Sequence, residues 1–296
     1  RISGDETQSK LFNQKASALK KEFQNQLWDK RREFFLAMFR DDEADNDGNK
    51  IKKNTRIYDS GKFAGSSHGR ELAGYVPWAF NLPDAGFEKA WQFLMDPNYF
   101  FASHGPTTVE RNDPLFLLKN SCCWWSGQSW PFATTQTIKA MANLLHNYNQ
   151  NHVSRDDYYK LLNIYAKSQR KNGKPYIAEA LHPDSGKWDH HDFYYRSEDY
   201  FHSGFVDLII TGLCGLIVGD DDILNIDPLA PSSWDYFAID NVPYRGHKIS
   251  IIWDKDGSRY HKGRGLNIYV NEEKIASSNL IEKIKVKIPE RKNVPL

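Results

Sequence analysis

Glu179 is the carboxylate whose surroundings in the sequence are most typical of a catalytic acid or base. It lies in an apolar and aromatic stretch, residues 176–183 (YIAEALHP), within a long segment that joins two predicted helices. A carboxyl group held among apolar neighbours is poorly solvated, which is a setting typical of side chains that exchange protons with a substrate. An ordinary surface-loop carboxylate is the alternative, because a single Glu in a loop is a weak signal.

Aromatic residues are unusually frequent in the segments that join the predicted helices. They are Tyr75, Trp78 and Phe80; Trp124, Trp125 and Trp130; and Tyr194, Tyr195, Tyr200 and Phe201. Core packing would account for any one of them, since Trp and Tyr bury large areas. As a set, in loops that also carry Asn, Gln and His, they are typical of a carbohydrate cleft, where flat rings stack on sugars and polar side chains reach hydroxyl groups.

Two other groups of residues offer metal-type ligands. Residues 189–192 (DHHD) are adjacent in the chain, and adjacent side chains rarely converge on one ion. Residues 43–48 (EADNDG) imitate the start of a calcium-binding loop, but Glu stands at its first position and Asn54 at its twelfth. Phosphate-binding, Ser-His-Asp and dinucleotide motifs do not occur. We therefore predict no metal and no other cofactor.

The composition is that of a globular protein with no general attraction for polyanions. The chain has 296 residues, of which 40% are hydrophobic and 26% charged, and its formal net charge is +1. That apolar fraction is enough to build cores. The near-zero net charge disfavours nucleic acid as a partner. The longest apolar run, residues 205–218, is shorter than the ~20 residues of a membrane span, so we predict no span.

Apolar residues in the first part of the chain recur at helical spacing. Phe12, Ala16 and Leu19 follow one another four and three positions apart, which is one face of an amphipathic helix over residues 9–29. Four more helices are predicted at residues 84–95, 131–148, 154–171 and 203–216. Asp84 is the predicted cap of the second helix, and Ser154 with Asp157 forms a capping box for the fourth.

The pattern changes to short runs bounded by turn residues after residue 222. Strands are predicted at residues 236–239, 248–253, 266–270 and 284–288, with hairpin connections at residues 254–257 and 271–274. Lys283, Lys285 and Lys287 alternate with apolar residues, which indicates a half-exposed sheet. The sequence therefore predicts a mainly α protein, with a helical region over residues 1–222 and an antiparallel β module over residues 223–296.

Several segments resemble one known family. They are residues 71–83 (ELAGYVPWAFNLP), 105–108 (GPTT), 125–131 (WSGQSWP), 200–203 (YFHS), 234–237 (WDYF) and 253–255 (WDK). Residues 179–186 (EALHPDSG) are similar to that family's Glu, two residues, then Asn-Pro-x-Thr-Gly. Together they resemble the mannosylglycerate-hydrolase-like branch of the (α/α)6-barrel glycoside hydrolases, which is akin to glycoside hydrolase family 63 and the trehalases.

This resemblance implies a partial (α/α)6 toroid over residues 1–222, followed by a small antiparallel β-sandwich over residues 223–296. It also implies an inverting mechanism in which Glu179 is the general base and an Asp is the general acid. The segment that carries this Asp in the family lies upstream of residue 1. Asp59, Asp84 and Glu110 are weaker candidates, and loop or capping roles are favoured for all three.

The resemblance also implies the substrate and the residues that contact it. The candidate contacts are Tyr75, Trp78, Asn81, Trp125, Gln128, Trp130 and His202. Ser126 and Gln128 depart from the family's commoner Trp-Asn-Gly-Pro or Trp-Arg-Gly-Pro and would reshape the sugar pocket. His202 would touch the substrate or orient Glu179, with a purely structural histidine as the alternative. The implied substrate is an oligosaccharide or glycoside with a non-reducing-end glucose or mannose, α-linked.

Two functions of other classes compete with hydrolysis. The first is a catalytically incomplete sugar-binding fragment, which a missing acid segment would favour. The second is a sugar isomerase or lyase on a helical toroid, which would use a His or Tyr base instead of Glu179. A half barrel would expose apolar helix faces, so a further segment or a partner chain is expected to complete it. The family resemblance favours a periplasmic or extracellular location.

Overall fold

The computed structural model describes residues 4–118, 125–177, 179–188 and 202–289. The chain divides into two compact units, one of which is Asp5–Ser203 and the other of which contains Gly204–Leu296. This division falls earlier than the predicted boundary at residue 222. The reason lies in the pairing of the chain after Gly204, where Leu216–Ile217 forms a strand that pairs with Ile223–Ile226.

The first helix, α1, covers Glu6–Leu27 and confirms the periodicity of its sequence. Asp5 caps it, because its side chain accepts a hydrogen bond of 3.0 Å from the amide of Gln8. No residue of α1 is buried within the described chain. The first part of its apolar face is open to solvent, with Phe12 62% and Leu19 60% exposed, whereas Phe23 contacts Phe35.

The chain between α1 and the next long helix is built from short elements. They are the strands β1 (Trp28–Asp29), β2 (Phe34–Phe35), β3 (Glu43–Ala44) and β4 (Lys50–Ile51), the helix α2 (Val76–Ala79), and 3₁₀ helices at Leu72–Tyr75 and Glu88–Phe93. The prediction that Asp84 caps a helix over residues 84–95 is wrong, because the helical turns begin only at Glu88. The side chain of Asp84 binds Lys20 and Gln24 of α1 instead, and Gly86 in a left-handed conformation interrupts the backbone before Glu88.

The core of this unit is aromatic. Trp91 is fully buried and contacts both Tyr75, at 4.5 Å between ring centroids, and Trp78, at 5.6 Å. Phe34 and Phe100 close the cluster from the other side of Tyr75. Rings arranged at steep angles to one another gain edge-to-face contacts in addition to area burial.

Two consecutive helices, α3 (Pro131–Asn147) and α4 (Arg155–Ser168), confirm the predicted helix pair. Both hydrogen bonds of the predicted capping box between Ser154 and Asp157 are present. The helix α4 ends three residues before its predicted end at 171, because Arg170–Lys171 (β5) pairs with Lys174–Pro175 (β6) across an Asn-Gly turn. Asn172 and Gly173 both have positive φ, as a two-residue hairpin requires.

The second unit begins with a short helix and continues as two antiparallel sheets. The helix α5 (Gly204–Asp207) runs into a π-helix, Leu208–Leu213. The sequence of this stretch is apolar nearly all round, which predicts a packed interior, but Val206 in its first turn is 56% exposed. The strands are β7 (Leu216–Ile217), β8 (Ile223–Ile226), β9 (Tyr236–Tyr244), β10 (His247–Asp254), β11 (Gly265–Val270), β12 (Glu273–Ser278) and β13 (Ile284–Lys287).

Strand order confirms the predicted antiparallel β module. One sheet has the order β12-β11-β10-β9 and the other β13-β8-β7. Ile251 lies opposite Ile268 and Ile239 in the larger sheet, and the next residue on that face, Trp253, lies opposite Leu266 and Phe237. This face is buried, and the opposite face of the sheet carries mainly polar and tyrosine side chains together with Ile252 and Ala238.

Candidate functional site

Four chain segments lie side by side next to the start of α3, in the order 70–72, 107–110, 127–129 and 181–183. The first pair is joined by the amide of Leu72, which donates to the carbonyl of Thr108 at 2.8 Å. The second and third segments are joined by the amide of Thr108, which donates to the carbonyl of Gln128 at 3.1 Å. Such main-chain contacts fix the relative position of loops that are far apart in the sequence.

Ser129 and Leu181 join the third segment to the fourth. Each donates its amide hydrogen to the carbonyl of the other, and both hydrogen bonds measure 3.0 Å. Glu179 stands two residues before Leu181, and Gln128 directly precedes Ser129. The structure therefore brings the Glu179 segment and the segment of Gln128 and Trp130 together.

Trp125 and Trp130 stack on each other in this region, with 4.4 Å between ring centroids and 33° between ring planes. Trp130 is the N-cap of α3 and is only 3% exposed, whereas 44% of Trp125 is exposed. Phe132 flanks Trp125 at 6.4 Å and is also exposed. Trp125 thus presents an aromatic surface to solvent, and the buried ring of Trp130 packs against it.

The Gln128 loop is held by a glycine that admits no side chain. Gly127 has φ +115°, and a Cβ atom there would lie 2.7 Å from Cδ2 of Phe116. Its amide donates to the hydroxyl oxygen of Thr108 at 2.9 Å. Gln128 itself is buried, with 1% of its surface exposed.

The turn after Glu179 is closed by its own hydrogen bonds and by an ion pair. The Nδ1 atom of His182 accepts from the amides of Asp184 and Ser185 at 3.2 and 3.3 Å. Asp184 binds Arg111 through two side-chain hydrogen bonds, one of them 3.0 Å. The hydrogen bond and charge of Arg111 hold the pKa of Asp184 below its ordinary value.

A small apolar cluster supports the other side of the Glu179 segment. Leu181 and Trp188 are 1% and 2% exposed and pack against each other and against Tyr176. The indole N–H of Trp188 donates to the carbonyl of Arg170 at 3.1 Å, which ties this cluster to the β5–β6 hairpin. Glu179 itself is half-buried at the edge of this arrangement.

His202 lies at the same end of α3. Its ring is 6.4 Å from that of Tyr165, between centroids. The hydroxyl groups of Tyr165 and Thr135 are 3.0 Å apart, and Thr135 belongs to the first turns of α3. His202 is half-buried, and its predicted choice between substrate contact and orientation of Glu179 stays a prediction.

The structure separates three of the predicted contact residues from this group. The side chain of Asn147, the last residue of α3, donates to Oδ1 of Asn81 at 2.9 Å, so Asn81 lies at the far end of the helix. The 17 residues of α3 span about 25 Å. Tyr75 and Trp78 are fully buried in the aromatic core, and the Tyr75 hydroxyl donates to the carbonyl of Ala90. Direct sugar contact by these two side chains does not fit their burial.

The three weaker candidates for the general acid all form ion pairs. Asp59 binds Arg32 at 2.7 Å, and Asp84 binds Lys20. Glu110 is fully buried and receives two hydrogen bonds, of 3.1 and 2.9 Å, from Nη1 of Arg70. All three carboxylates are thus neutralised by a neighbouring cation, and the loop or capping roles favoured for Asp59 and Glu110 stay predictions.

Glu71 is a carboxylate that sequence reasoning did not single out. It forms an isolated bridge with Val109 at the edge of the four segments. Burial and then the negative charge of Asp113 raise its pKa. Its neighbours come together only through long-range pairing, although the segment 71–83 itself was noted for its resemblance.

The acidic run at residues 43–48 forms a hydrogen-bonded turn. Asp45 accepts from the amides of Asp47, Asn49 and Lys62, and the Lys62 ammonium group binds Asp47 at 2.6 Å. Residues 189–192 lie outside the described residues. Where the structure describes the chain, no three side chains of His, Cys, Asp and Glu converge, and no helix has the length and apolar character needed to cross a membrane.

A family model described as mannosylglycerate hydrolase MGH1-like glycoside hydrolase domain matches residues 1–203. This is more than half of the chain. The chain belongs to this family. The match to the MGH1-like glycoside hydrolase domain ends at the residue where the first compact unit ends. A second model, glycosyl hydrolase family 65, C-terminal domain, matches residues 218–276 and so covers most of the β module.

A solved structure named "Sialidase" is similar to this MGH1-like glycoside hydrolase chain. The two are 40% identical, and the TM-score is 0.83. The likeness covers 96% of this chain and 24% of the other, so the chain spans about a quarter of that protein's length. Both compact units therefore have a counterpart in one longer protein.

Proposed function

We propose that the chain is part of an inverting glycoside hydrolase in which Glu179 is the general base. Membership of the MGH1-like glycoside hydrolase family supports the reaction class. The observation that carries the site is the pair of hydrogen bonds between Ser129 and Leu181, which joins the Glu179 segment to the loop of Trp125, Gln128 and Trp130. The bridge thus joins the segment of a candidate base to a segment whose exposed indole can stack on a sugar.

In this mechanism Glu179 deprotonates a water molecule that attacks the anomeric carbon opposite the leaving group. Inversion needs a second carboxyl group roughly 6.5–9.5 Å away to protonate the leaving oxygen and to leave room for that water. The ion pairs of Asp59, Asp84 and Glu110 argue against these residues as the acid. On the family resemblance, we propose that the acid lies in a segment upstream of residue 1. The reaction needs no cofactor.

The substrate we propose is an α-linked glucoside or mannoside, recognised at its non-reducing end. The exposed ring of Trp125 stacks on the C–H face of a sugar, with Trp130 packed against it, while His202 reaches hydroxyl groups. Gln128 is buried and acts by holding the loop of Trp125 in place. Tyr75 and Trp78 act through core packing in this scheme. Asn81 takes no part, because it lies at the other end of α3.

We further propose that residues in the first unit form part of an (α/α)6 toroid and that the second unit is a β-sandwich. The exposed apolar face of α1, which includes Phe12 and Leu19, supports cover by another segment or chain. Contiguous apolar surface of this kind marks an interaction site in soluble proteins.

Glycosyl fluorides test the role of Glu179 without the missing acid, because fluoride is a good leaving group that needs no protonation. We expect the 296-residue chain to hydrolyse α-glucosyl or α-mannosyl fluoride and to release the β anomer first, as followed by proton NMR. Glu179→Gln should lower kcat by about 10²- to 10⁴-fold. Release of the α anomer first, or full activity of Glu179→Gln, would overturn the proposal.

Two rival functions predict other results in the same assay. A sugar-binding fragment without turnover would leave both fluorides intact while sugar still quenches tryptophan fluorescence. An isomerase or lyase would give a ketose or an unsaturated sugar in the NMR spectrum. Assay of natural disaccharides with the longer protein then tests whether the acid lies outside this chain.

A further inference from the structure

The β module carries a second candidate site, on the polar face of the four-stranded sheet. Two adjoining clefts of about 670 and 410 Å³ open on this face. Tyr236 lines the first, and Tyr260 and Tyr269 line the second. Clefts of this size accommodate small molecules and one or two sugar rings.

Tyr236 and Tyr260 connect the two clefts. Their rings meet edge to face, with 6.1 Å between centroids and 79° between ring planes. The guanidinium group of Arg259 lies over the Tyr236 ring at 4.7 Å. Tyr236 is nevertheless 48% exposed, so a flat aromatic surface remains open to a ligand.

The loop that carries Tyr260 is fixed by a buried carboxylate. Asp254, which is 1% exposed, accepts hydrogen bonds from the amides of Gly257, Arg259 and Tyr260 at 3.0, 2.9 and 2.7 Å. Three main-chain donors on one carboxylate hold the backbone of this loop in one conformation. Tyr260 is therefore positioned before any ligand arrives.

The other end of the same loop is anchored as well. The Tyr269 hydroxyl donates to the carbonyl of Lys262 at 2.7 Å. The side-chain amide of Asn267 donates to the carbonyls of Gly263 and Gly265 at 3.1 and 3.0 Å. A preorganised site loses less conformational entropy on binding.

Charges around the two clefts nearly cancel. The first cleft is lined by three carboxylates, Asp235, Asp254 and Asp256, and by three cations, Lys255, Arg259 and Arg264. The second has Asp240 and Glu272 against Lys262, with the amide of Asn241 and the hydroxyl of Ser250 beside them. Such a lining offers many hydrogen-bond donors and acceptors without selecting an anion or a cation.

We propose that the Tyr236–Tyr260 face of the β module is a binding site for a neutral oligosaccharide. Tyrosine rings stack on the C–H faces of sugars, and short acidic and amide side chains bind pairs of hydroxyl groups. The two clefts have the volume of a small ligand, whereas a stable protein partner would bury a surface of about 800 Å² on each side. The site is built from residues of the second unit, whereas Glu179 belongs to the first, and it binds sugar whether or not the chain hydrolyses it.

The experiment uses the full chain with Trp125→Ala and Glu179→Gln as the parent, so that sugar binding at the first site is weakened and hydrolysis there is suppressed. An array of neutral α-glucans and α-mannans, followed by titration calorimetry with maltotetraose and an α-mannotetraose, measures the remaining affinity. We expect a Kd no higher than about 10 mM for the parent, and an increase in Kd of at least tenfold in Tyr236→Ala or Tyr260→Ala. Tyr260→Phe should retain most of it, because the ring provides the stacking surface.

Leu280→Ala is the matched control, since Leu280 is a 64% exposed apolar residue of the same module outside both clefts. Asp254→Asn provides an independent variant that removes no ring and should weaken binding by loosening the loop. Thermal melts confirm that each variant is folded. Absence of binding to every glucan and mannan, or binding that Tyr236→Ala and Tyr260→Ala leave unchanged, would overturn the proposal.

Discussion

The amides and carbonyls of Ser129 and Leu181 exchange two hydrogen bonds of 3.0 Å, across more than 50 residues of sequence. This is an antiparallel bridge between two loops rather than part of a longer sheet. Gln128 lies one residue before Ser129, and Glu179 lies two residues before Leu181. Because the bridge couples the two loops, a shift of either loop displaces both Gln128 and Glu179. The position of the proposed base therefore depends on the packing beneath Leu181.

Leu181→Ala tests this dependence. Leu181 is 1% exposed and packs on Trp188, so loss of its side chain leaves a cavity under the Glu179 segment. We expect a loss of about 2–5 kcal/mol in the free energy of unfolding. We also expect a lower kcat for glycosyl fluoride hydrolysis at temperatures where the variant is fully folded.

Leu280→Ala is the control, since Leu280 is 64% exposed, and its unfolding free energy should change by no more than about 0.5 kcal/mol. Urea denaturation measures both variants. A Leu181→Ala protein with unchanged kcat would mean that the bridge alone, without the apolar cluster, holds Glu179.

Trp125 and Trp130 should respond differently to truncation, although their rings are stacked. Trp130 is 3% exposed, so Trp130→Ala is expected to lower the free energy of unfolding by about 3–5 kcal/mol. Trp125 is 44% exposed, so Trp125→Ala should change stability little. It should instead raise KM about three- to tenfold, the loss of one aromatic contact of ~0.5–1.5 kcal/mol.

Sugar titrations by intrinsic fluorescence and denaturation curves separate these two effects. Phe80→Ala serves as a control, because Phe80 is 77% exposed and lies outside the Trp125 cluster. An increase in KM for Trp130→Ala alone would reverse the assignment of the stacking surface.

Asn81 and Gln128 test which end of α3 forms the site. Asn81 binds Asn147 at the C-terminal end of α3, while Gln128 lies just before its first residue. We expect Asn81→Ala to leave kcat and KM unchanged, and Gln128→Ala to lower kcat/KM. Steady-state kinetics with the same fluoride substrate measures both. Equal losses for the two variants would place the substrate along the whole helix.

Local patterns in the sequence were sufficient for the elements that local interactions stabilise. The periodicity of α1, the capping box of Ser154 and the hairpin strands of the β module all depend on residues within a few positions of each other. The Asn172-Gly173 turn was also visible in the sequence and explains why α4 ends early.

The arrangement of the site could not be read from local patterns. The loops of Glu71, Thr108, Gln128 and Leu181 lie together through main-chain hydrogen bonds between distant residues, and main-chain groups carry no sequence signal. The burial of Trp78 is hidden for a related reason. Its ring packs against Trp91 in a cluster that forms only when several loops converge.

Gly127 tests how tightly the Gln128 loop is built. A Cβ atom there would lie 2.7 Å from Phe116, and φ is +115°, so Gly127→Ala meets both a clash and backbone strain. We expect Gly127→Ala to lower the free energy of unfolding by about 1–3 kcal/mol through backbone strain, and by a further amount through the clash. Gly173→Ala is the control, since Gly173 has φ +76° but nothing within 4 Å of its Cβ position, and strain alone should cost about 1 kcal/mol. Equal losses would show that the contact with Phe116 relaxes freely.

The ion pair of Arg111 and Asp184 should make stability depend on pH in the acid range. The pKa of Asp184 is lowered from its ordinary 3.8 in the folded chain, so the pair contributes stability above that value and loses it as pH falls through the lowered pKa. Because the Asp184 side chain is 50% exposed, the contribution is only about 0.2–1 kcal/mol. Asp184→Asn should therefore be less stable than the parent at pH 6 and equal to it once the parent carboxylate is protonated.

A double-mutant cycle with Arg111→Met isolates this ion pair from the packing of the Arg111 side chain on Phe116. The coupling free energy from urea denaturation should be present at pH 6, decrease with added salt, and vanish in strong acid. The sign follows from protonation, which removes the charge that Arg111 attracts. A coupling energy that grows as pH falls would mean that Asp184 acts as a neutral hydrogen-bond donor in this turn, and that the charge of Arg111 does not hold the segment that follows Glu179.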